Sequence, residues 1–116
     1  MKINAHDKAG FTLVEIMVVI VIIGLLAAIA LPNLVKAREL SQKSTCVNNL
    51  RQIDAAVSNW GVEKGKTAGD PIVTTELFGL TNYIKAAPQC PAGGSYSFFN
   101  VSDIPQVACN LTGHTL

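Results

Sequence analysis

Cys109 and His114, five residues apart near the C-terminus, are the pair of side chains best suited to chemistry. A thiol beside an imidazole can act as a nucleophile, and the same two groups can ligate zinc. Either use needs more ligands or orienting groups than this tail offers, so neither a catalytic constellation nor a zinc centre is expected. Gly93-Gly94 is followed by strand-like sequence and not by a helix, which argues against a loop that cradles phosphate. Asn100-Val-Ser102 and Asn110-Leu-Thr112 fit the glycosylation acceptor pattern, but three residues meet it often by chance. The remaining unusual group is Glu15. Between Phe11 and Leu31 only Thr12 and Glu15 are strongly polar, and Ile16 through Leu31 carries no charge, amide or hydroxyl.

The element that positions Glu15 is therefore a greasy helix. At about 1.5 Å per residue, Phe11 to Leu31 spans roughly 31 Å, the thickness of a bilayer core of about 30 Å. A fully buried core helix is a poor alternative, because the residues that follow are too few to wrap it on all sides. A secretory signal peptide, with Lys2 and Lys8 as its basic start, has a shorter apolar stretch and a small-x-small cleavage site, which is missing here. A plain single-pass anchor explains the length but not the carboxylate. On insertion scales a carboxylate at membrane depth costs roughly 2.5–3.5 kcal/mol unless it snorkels. Lys8 lies seven residues upstream, and no basic residue follows before Lys36. A cut after Gly10 would supply the missing cation as a new amino group on Phe11, about one helical turn from Glu15 or offered by a staggered neighbour.

Gly10-Phe11-Thr12-Leu13-Val14-Glu15, followed by an apolar run to Ala30-Leu31-Pro32, resembles the class III signal of type IV pilins and type II secretion pseudopilins. The resemblance covers the first thirty or so residues. It implies a leader, residues 1–10, removed by a prepilin peptidase after Gly10, with N-methylation of Phe11 and a role for Glu15 in assembly. It further implies a transmembrane and assembly helix over 11–32 and a small periplasmic or extracellular domain over 33–116, an α+β fold with a long helix against a small antiparallel sheet. Gly24 and Pro32 would soften the helix when subunits pack. Implied partners are the peptidase, copies of the chain and other pilin-like subunits, an inner-membrane assembly platform and, before assembly, the lipid bilayer. His6 would be lost with the leader, leaving His114 as the single histidine.

Beyond Pro32 the periodicity becomes that of an amphipathic helix. Val47, Leu50, Ile53, Val57 and Trp60 form one stripe, and the helix is expected to end between Gly61 and Gly65. Lys64 to Thr75 reads as a loop, and Thr75 to Phe78 as a short helical turn capped by Thr74 or Thr75. Ser95–Val101 and Gln106–Asn110 read as strands joined by a turn at Ser102–Pro105. A Cys90–Cys109 bridge would close this hairpin and contribute on the order of 3 kcal/mol in the chain-entropy picture. Three cysteines allow three pairings, and the expected remainder is a buried free thiol at Cys46.

Composition narrows the function. The 116 residues are 49% apolar and 15% charged, with a net charge of +1. Without the leader, seven basic side chains stand against seven acidic ones, so nucleic acid is not an expected partner. Major pseudopilins bind calcium through loop oxygens, which makes Asp70 and Asp103 weak calcium candidates, beside Glu76 and Asn100. The ligand set is sparse for an ion that takes six to eight oxygens. No other cofactor is expected. Leu50-Arg-Gln-Ile-Asp54 to Trp60, then Gly65, Pro71, Thr74-Thr75-Glu76 and Leu80, is loosely similar to major pseudopilins, although Asp70 stands where an aromatic residue is usual. Cys90-Pro-Ala-Gly-Gly-Ser-Tyr with Cys109 and Gly113-His114 is similar to the tail of short pilin-like proteins of unassigned role. The resemblance favours a filament subunit, most simply a pseudopilin, with a pilus subunit or a membrane-tethered minor tip subunit for adhesion or DNA uptake as the alternative.

Overall fold

The computed structural model describes residues 10–116; the expected leader ahead of Gly10, with His6, lies outside the described residues. The chain divides into two compact units, one ending at Ala37 and the other comprising Arg38–Leu116. The first helix, α1 (Leu13–Glu63), contributes residues to both.

In the first unit α1 has apolar side chains on every face. Each large apolar side chain from Phe11 to Val35 is at least 49% exposed. Its length and composition suffice for a membrane span. A helix satisfies its own backbone hydrogen bonds, so the only demand such a segment makes on its surroundings is that they be apolar. The helix passes through both Gly24 and Pro32 without interruption. Pro32 still lacks an N–H and costs about 3 kcal/mol in a helix interior, which keeps this stretch intrinsically weak.

The second unit is built on the polar half of α1. Leu50, Ile53, Ala56, Val57 and Trp60 are buried at three- and four-residue steps, and Cys46 continues the line one turn earlier. Val47, expected on the stripe, lies at its half-buried edge. The helix stops in a Schellman motif. Gly65, at φ 63°, donates its N–H to the Val62 carbonyl at 3.3 Å, and the Lys66 N–H reaches Gly61 at 2.8 Å. Only glycine takes that left-handed conformation at no steric cost.

Three short elements cover the stripe: α2 (Thr74–Leu77), β1 (Tyr96–Phe98) and β2 (Val107–Cys109). The strands are antiparallel, pairing Tyr96 with Cys109, Ser97 with Ala108 and Phe98 with Val107. Leu77, Val101 and Val107 complete the core, with Ile72, Phe78, Tyr96 and Phe98 packed around it. Trp60 is wholly buried, and its indole N–H donates to Glu76 Oε2 at 2.6 Å. It is a core anchor, as its place on the stripe predicts.

Two local expectations need correction. The strands are shorter than the alternation suggests, because the first one changes partner. Phe99 still donates to the Gln106 carbonyl, but Asn100 pairs with Pro71 and the Val101 N–H turns to the Asp70 carbonyl at 2.9 Å. The cap of α2 is Val73, and no side chain caps it, so neither Thr74 nor Thr75 has the expected role.

Truncating the centre of the stripe should be costly. Leu50→Ala is expected to destabilise this unit by about 2–5 kcal/mol, the usual range for a buried leucine. Trp60 is the chain's single tryptophan, so its fluorescence during urea unfolding of the detergent-solubilised chain reports the shift directly.

Candidate functional site

The residues singled out at the N-terminus sit around the first turn of α1. Gly10 is exposed and Phe11 is 86% exposed. Thr12 and Glu15 then form a reciprocal capping box. The Glu15 N–H donates to Thr12 Oγ1 at 3.2 Å, and the Thr12 N–H donates to Glu15 Oε2 at 2.9 Å. Both bonds satisfy backbone donors that a helix start otherwise leaves open. The positive end of the helix dipole adds to the same effect. The carboxylate therefore has a reason to sit at this position that the sequence reading missed, although Thr12-Leu-Val-Glu15 is the pattern for it. A carboxylate has about four acceptor sites, so one backbone bond leaves room for a cation from outside the chain.

The acidic residues considered for calcium act as turn caps. Asp70 accepts from the Thr67 N–H at 2.7 Å and the Thr67 hydroxyl at 3.1 Å, and these bonds hold its pKa below the ordinary value. Asp103 accepts from the Asn100 N–H at 2.8 Å. The Val101–Asp70 backbone bond brings the two loops side by side, but each carboxylate is engaged within its own turn. Glu76 is engaged with Trp60.

The sequence pairs Cys90 with Cys109 and leaves Cys46 by itself, whereas the structure brings all three thiols and His114 together. Cys46 from α1, Cys90 from the loop before β1, Cys109 from β2 and His114 from the tail place one ligand atom each within 4.8 Å of one another. The three thiols are free and unbonded, and Cys90 and Cys109, the pair expected to bridge, lie in this same group. Burial pushes the Cys46 thiol up to about 12. Burial acts in the same direction on Cys90, but the Cys46 thiol, the backbone N–H groups of Ala92 and Gly94 and the His114 ring all favour its thiolate and draw it down to about 7. The Tyr96 hydroxyl donates to Cys46 Sγ at 3.6 Å and is itself held by Asn49 Nδ2 at 3.2 Å. Asn49 also binds the Gln89 carbonyl, and Gln42, seven residues earlier on α1, binds the Pro91 carbonyl. The helix thereby grips the Cys90 loop on both sides of Cys46.

Comparison with known proteins bears on the N-terminal site above all. The prokaryotic N-terminal methylation motif matches residues 6–31. Type II secretion system core protein G of Escherichia coli K12 is 34% identical over 110 residues, covering 84% of this chain and 76% of that protein. The ComG operon protein 3 homolog of Bacillus licheniformis is 30% identical over 81% of this chain and 93% of its own length. The type IV major pilin protein PilA of Myxococcus xanthus is 44% identical over 95% of this chain, which spans about half, 49%, of that pilin. No solved structure matches. A methylation motif over the apolar half of α1, with relatives that extend through the second unit, leads to one conclusion: this chain belongs to the family of type II secretion pseudopilins and type IV pilins.

Proposed function

We propose that the chain is a pseudopilin of a type II secretion system, a non-enzymatic structural subunit of a helical filament. It starts as a single-pass protein of the bacterial inner membrane with its C-terminal domain in the periplasm. A prepilin peptidase removes the leader after Gly10 and methylates Phe11, and the assembly platform then moves the subunit from lipid into the filament. The observation that carries this reading is the naked apolar surface of α1. Some twenty residues with every large side chain exposed need lipid first and neighbouring subunits later. The coverage of core protein G relatives supports a pseudopilus. The 44% identity to a major pilin supports a second reading, a type IV pilus subunit.

Deleting the gene separates the two. A pseudopilin deletion should abolish release of secreted proteins into the medium while surface pili persist. Normal secretion with loss of pili would replace the first reading by the second.

Processing has its own check. Mass spectrometry of the protein from cells with a prepilin peptidase should find an N-methylated Phe11 terminus, and an intact Met1 terminus there would remove the peptidase from the scheme.

Glu15 has two roles that substitutions can separate. Glu15→Gln keeps a side chain that completes the capping box but removes the charge. Glu15→Ala removes both, at a further cost of about 1 kcal/mol to the helix start. If the carboxylate meets the Phe11 amine of a neighbouring subunit, the glutamine variant leaves a buried ion unpaired, which costs about 3–5 kcal/mol. Glu15→Gln should therefore be cleaved, remain in the membrane and be missing from sheared filaments. Normal filaments with glutamine but not with alanine would assign Glu15 to helix capping alone.

A further inference from the structure

The filament reading makes no use of the buried group Cys46, Cys90, Cys109 and His114. These side chains come from four separate stretches of chain, and Cys46, Cys90 and His114 lie outside the apolar core cluster. One free thiol buries readily as a small apolar group, but three thiols and an imidazole with their donor atoms within 4.8 Å of one another make a ligand set.

Zinc fits the donor set. Thiolate sulfurs bind Zn²⁺ at about 2.3 Å and imidazole nitrogen at about 2.0–2.1 Å, in tetrahedral geometry. Donors at the corners of such a tetrahedron stand roughly 3.5–3.8 Å apart. Here Cys90 Sγ and His114 Nδ1 are 3.5 Å apart, and all four donor atoms lie within 4.8 Å. Soft thiolates with one imidazole select zinc over the oxygen-seeking calcium and magnesium.

The surroundings suit a metal–thiolate centre. The Cys90-Pro-Ala-Gly-Gly loop turns back on itself through the Gly93 N–H to Cys90 carbonyl bond at 3.0 Å, which presents the Ala92 and Gly94 N–H groups to the Cys90 sulfur. Such bonds, like the Tyr96 hydroxyl on Cys46, are the outer partners that orient metal ligands. At Gly94 a Cβ would stand 2.7 Å from Cys109 Sγ and 3.0 Å from Leu111, so the loop passes the sulfur only as glycine. Cys46 is wholly buried, Cys90 is 5% exposed and His114 9%, and Cys109 is half-buried. Four protein donors in so closed a place leave no position for substrate, which marks a structural centre.

We propose that Cys46, Cys90, Cys109 and His114 bind one Zn²⁺ tetrahedrally, tying α1, the Cys90 loop, β2 and the C-terminal tail into one unit. Binding releases the thiol protons, involves no change of oxidation state, and leaves three thiolates, a neutral imidazole and a dication with a net charge of −1. The competing use of the same atoms is a disulfide, which removes two of the four donors.

The test uses the full chain, purified from membranes in detergent without chelator or added thiol. Elemental analysis should find about one zinc per chain, with all three thiols shielded from alkylation until the metal is removed. Exchange for Co²⁺ should produce the intense visible bands of a tetrahedral thiolate complex. His114→Ala and Cys109→Ser should each weaken zinc binding by more than the 10–100-fold typical of losing an outer partner. His114→Cys restores a fourth donor and should retain the metal, which separates ligation from a general failure to fold. A metal-free chain, whether its thiols are alkylated directly or Cys90 is found joined to Cys109, overturns the proposal. So does zinc that stays bound at full affinity in both His114→Ala and Cys109→Ser.

Discussion

The sheet and α2 of the second unit rest on one stripe of α1. Two strands of three residues and a helix of four have no stability of their own, since isolated hairpins and short helices are marginal in water. They persist because Leu50, Ile53, Val57 and Trp60 give them a continuous apolar surface to cover. The short strands can then separate beyond Phe99, because Val101 is held by the core and by Asp70 in place of the ladder. Glu76 ties the buried indole to α2. Losing the stripe would cost this unit its sheet and α2 together.

The first half of α1 obeys the opposite rule. Its side chains find no cover among the described residues, and burying them is worth roughly 25 cal/mol per Å² wherever cover is found. Lipid and a bundle of like helices are both apolar, so moving from one to the other changes little of this term. What can differ between the two settings is the polar chemistry at the helix start. The capping box holds the Glu15 carboxylate in place with a single backbone bond, and its remaining acceptor sites are available to a cation. A lone carboxylate is costly in lipid, whereas an ammonium in an apolar interface offsets that cost. Under the proposed function, such a residue would favour the assembled state without any change in the helix that carries it.

How much of this was legible in the sequence depended on sequence distance. The apolar span, the stripe and the stop near Gly65 are set by neighbours within a few residues, and periodicity and glycine placement reveal them. Strand ends were misjudged because alternation does not show that Asn100 leaves β2 to pair with Pro71, some thirty residues away. Val73 at the start of α2 followed no side-chain cap rule, since that short helix is held by Leu77 in the core. The capping box is local, and Thr12-Leu-Val-Glu15 carries its pattern, because both of its bonds lie within one helical turn. The four-donor group was out of reach: Cys46 lies more than forty residues from Cys90, and nothing local to either says that they meet.

That last gap also explains how so small a domain keeps its tail. The second unit has about 80 residues, near the size below which an apolar core alone gives only a few kcal/mol. Between Lys85 and Ser95, and again after Cys109, there is no regular secondary structure, and backbone there has little ladder bonding to hold it. Both stretches instead converge on Cys46 of α1, one with Cys90 and the other with His114, their ligand atoms within 4.8 Å of one another. Gln42 and Asn49, four residues before and three after Cys46, bind the carbonyls on either side of Cys90 and hold its loop against α1. A cross-link at this point shortens every unfolded loop that spans it, and a metal does so from four chain segments at once, where a disulfide joins two. The stripe holds the sheet, and the thiol group holds what the stripe does not reach.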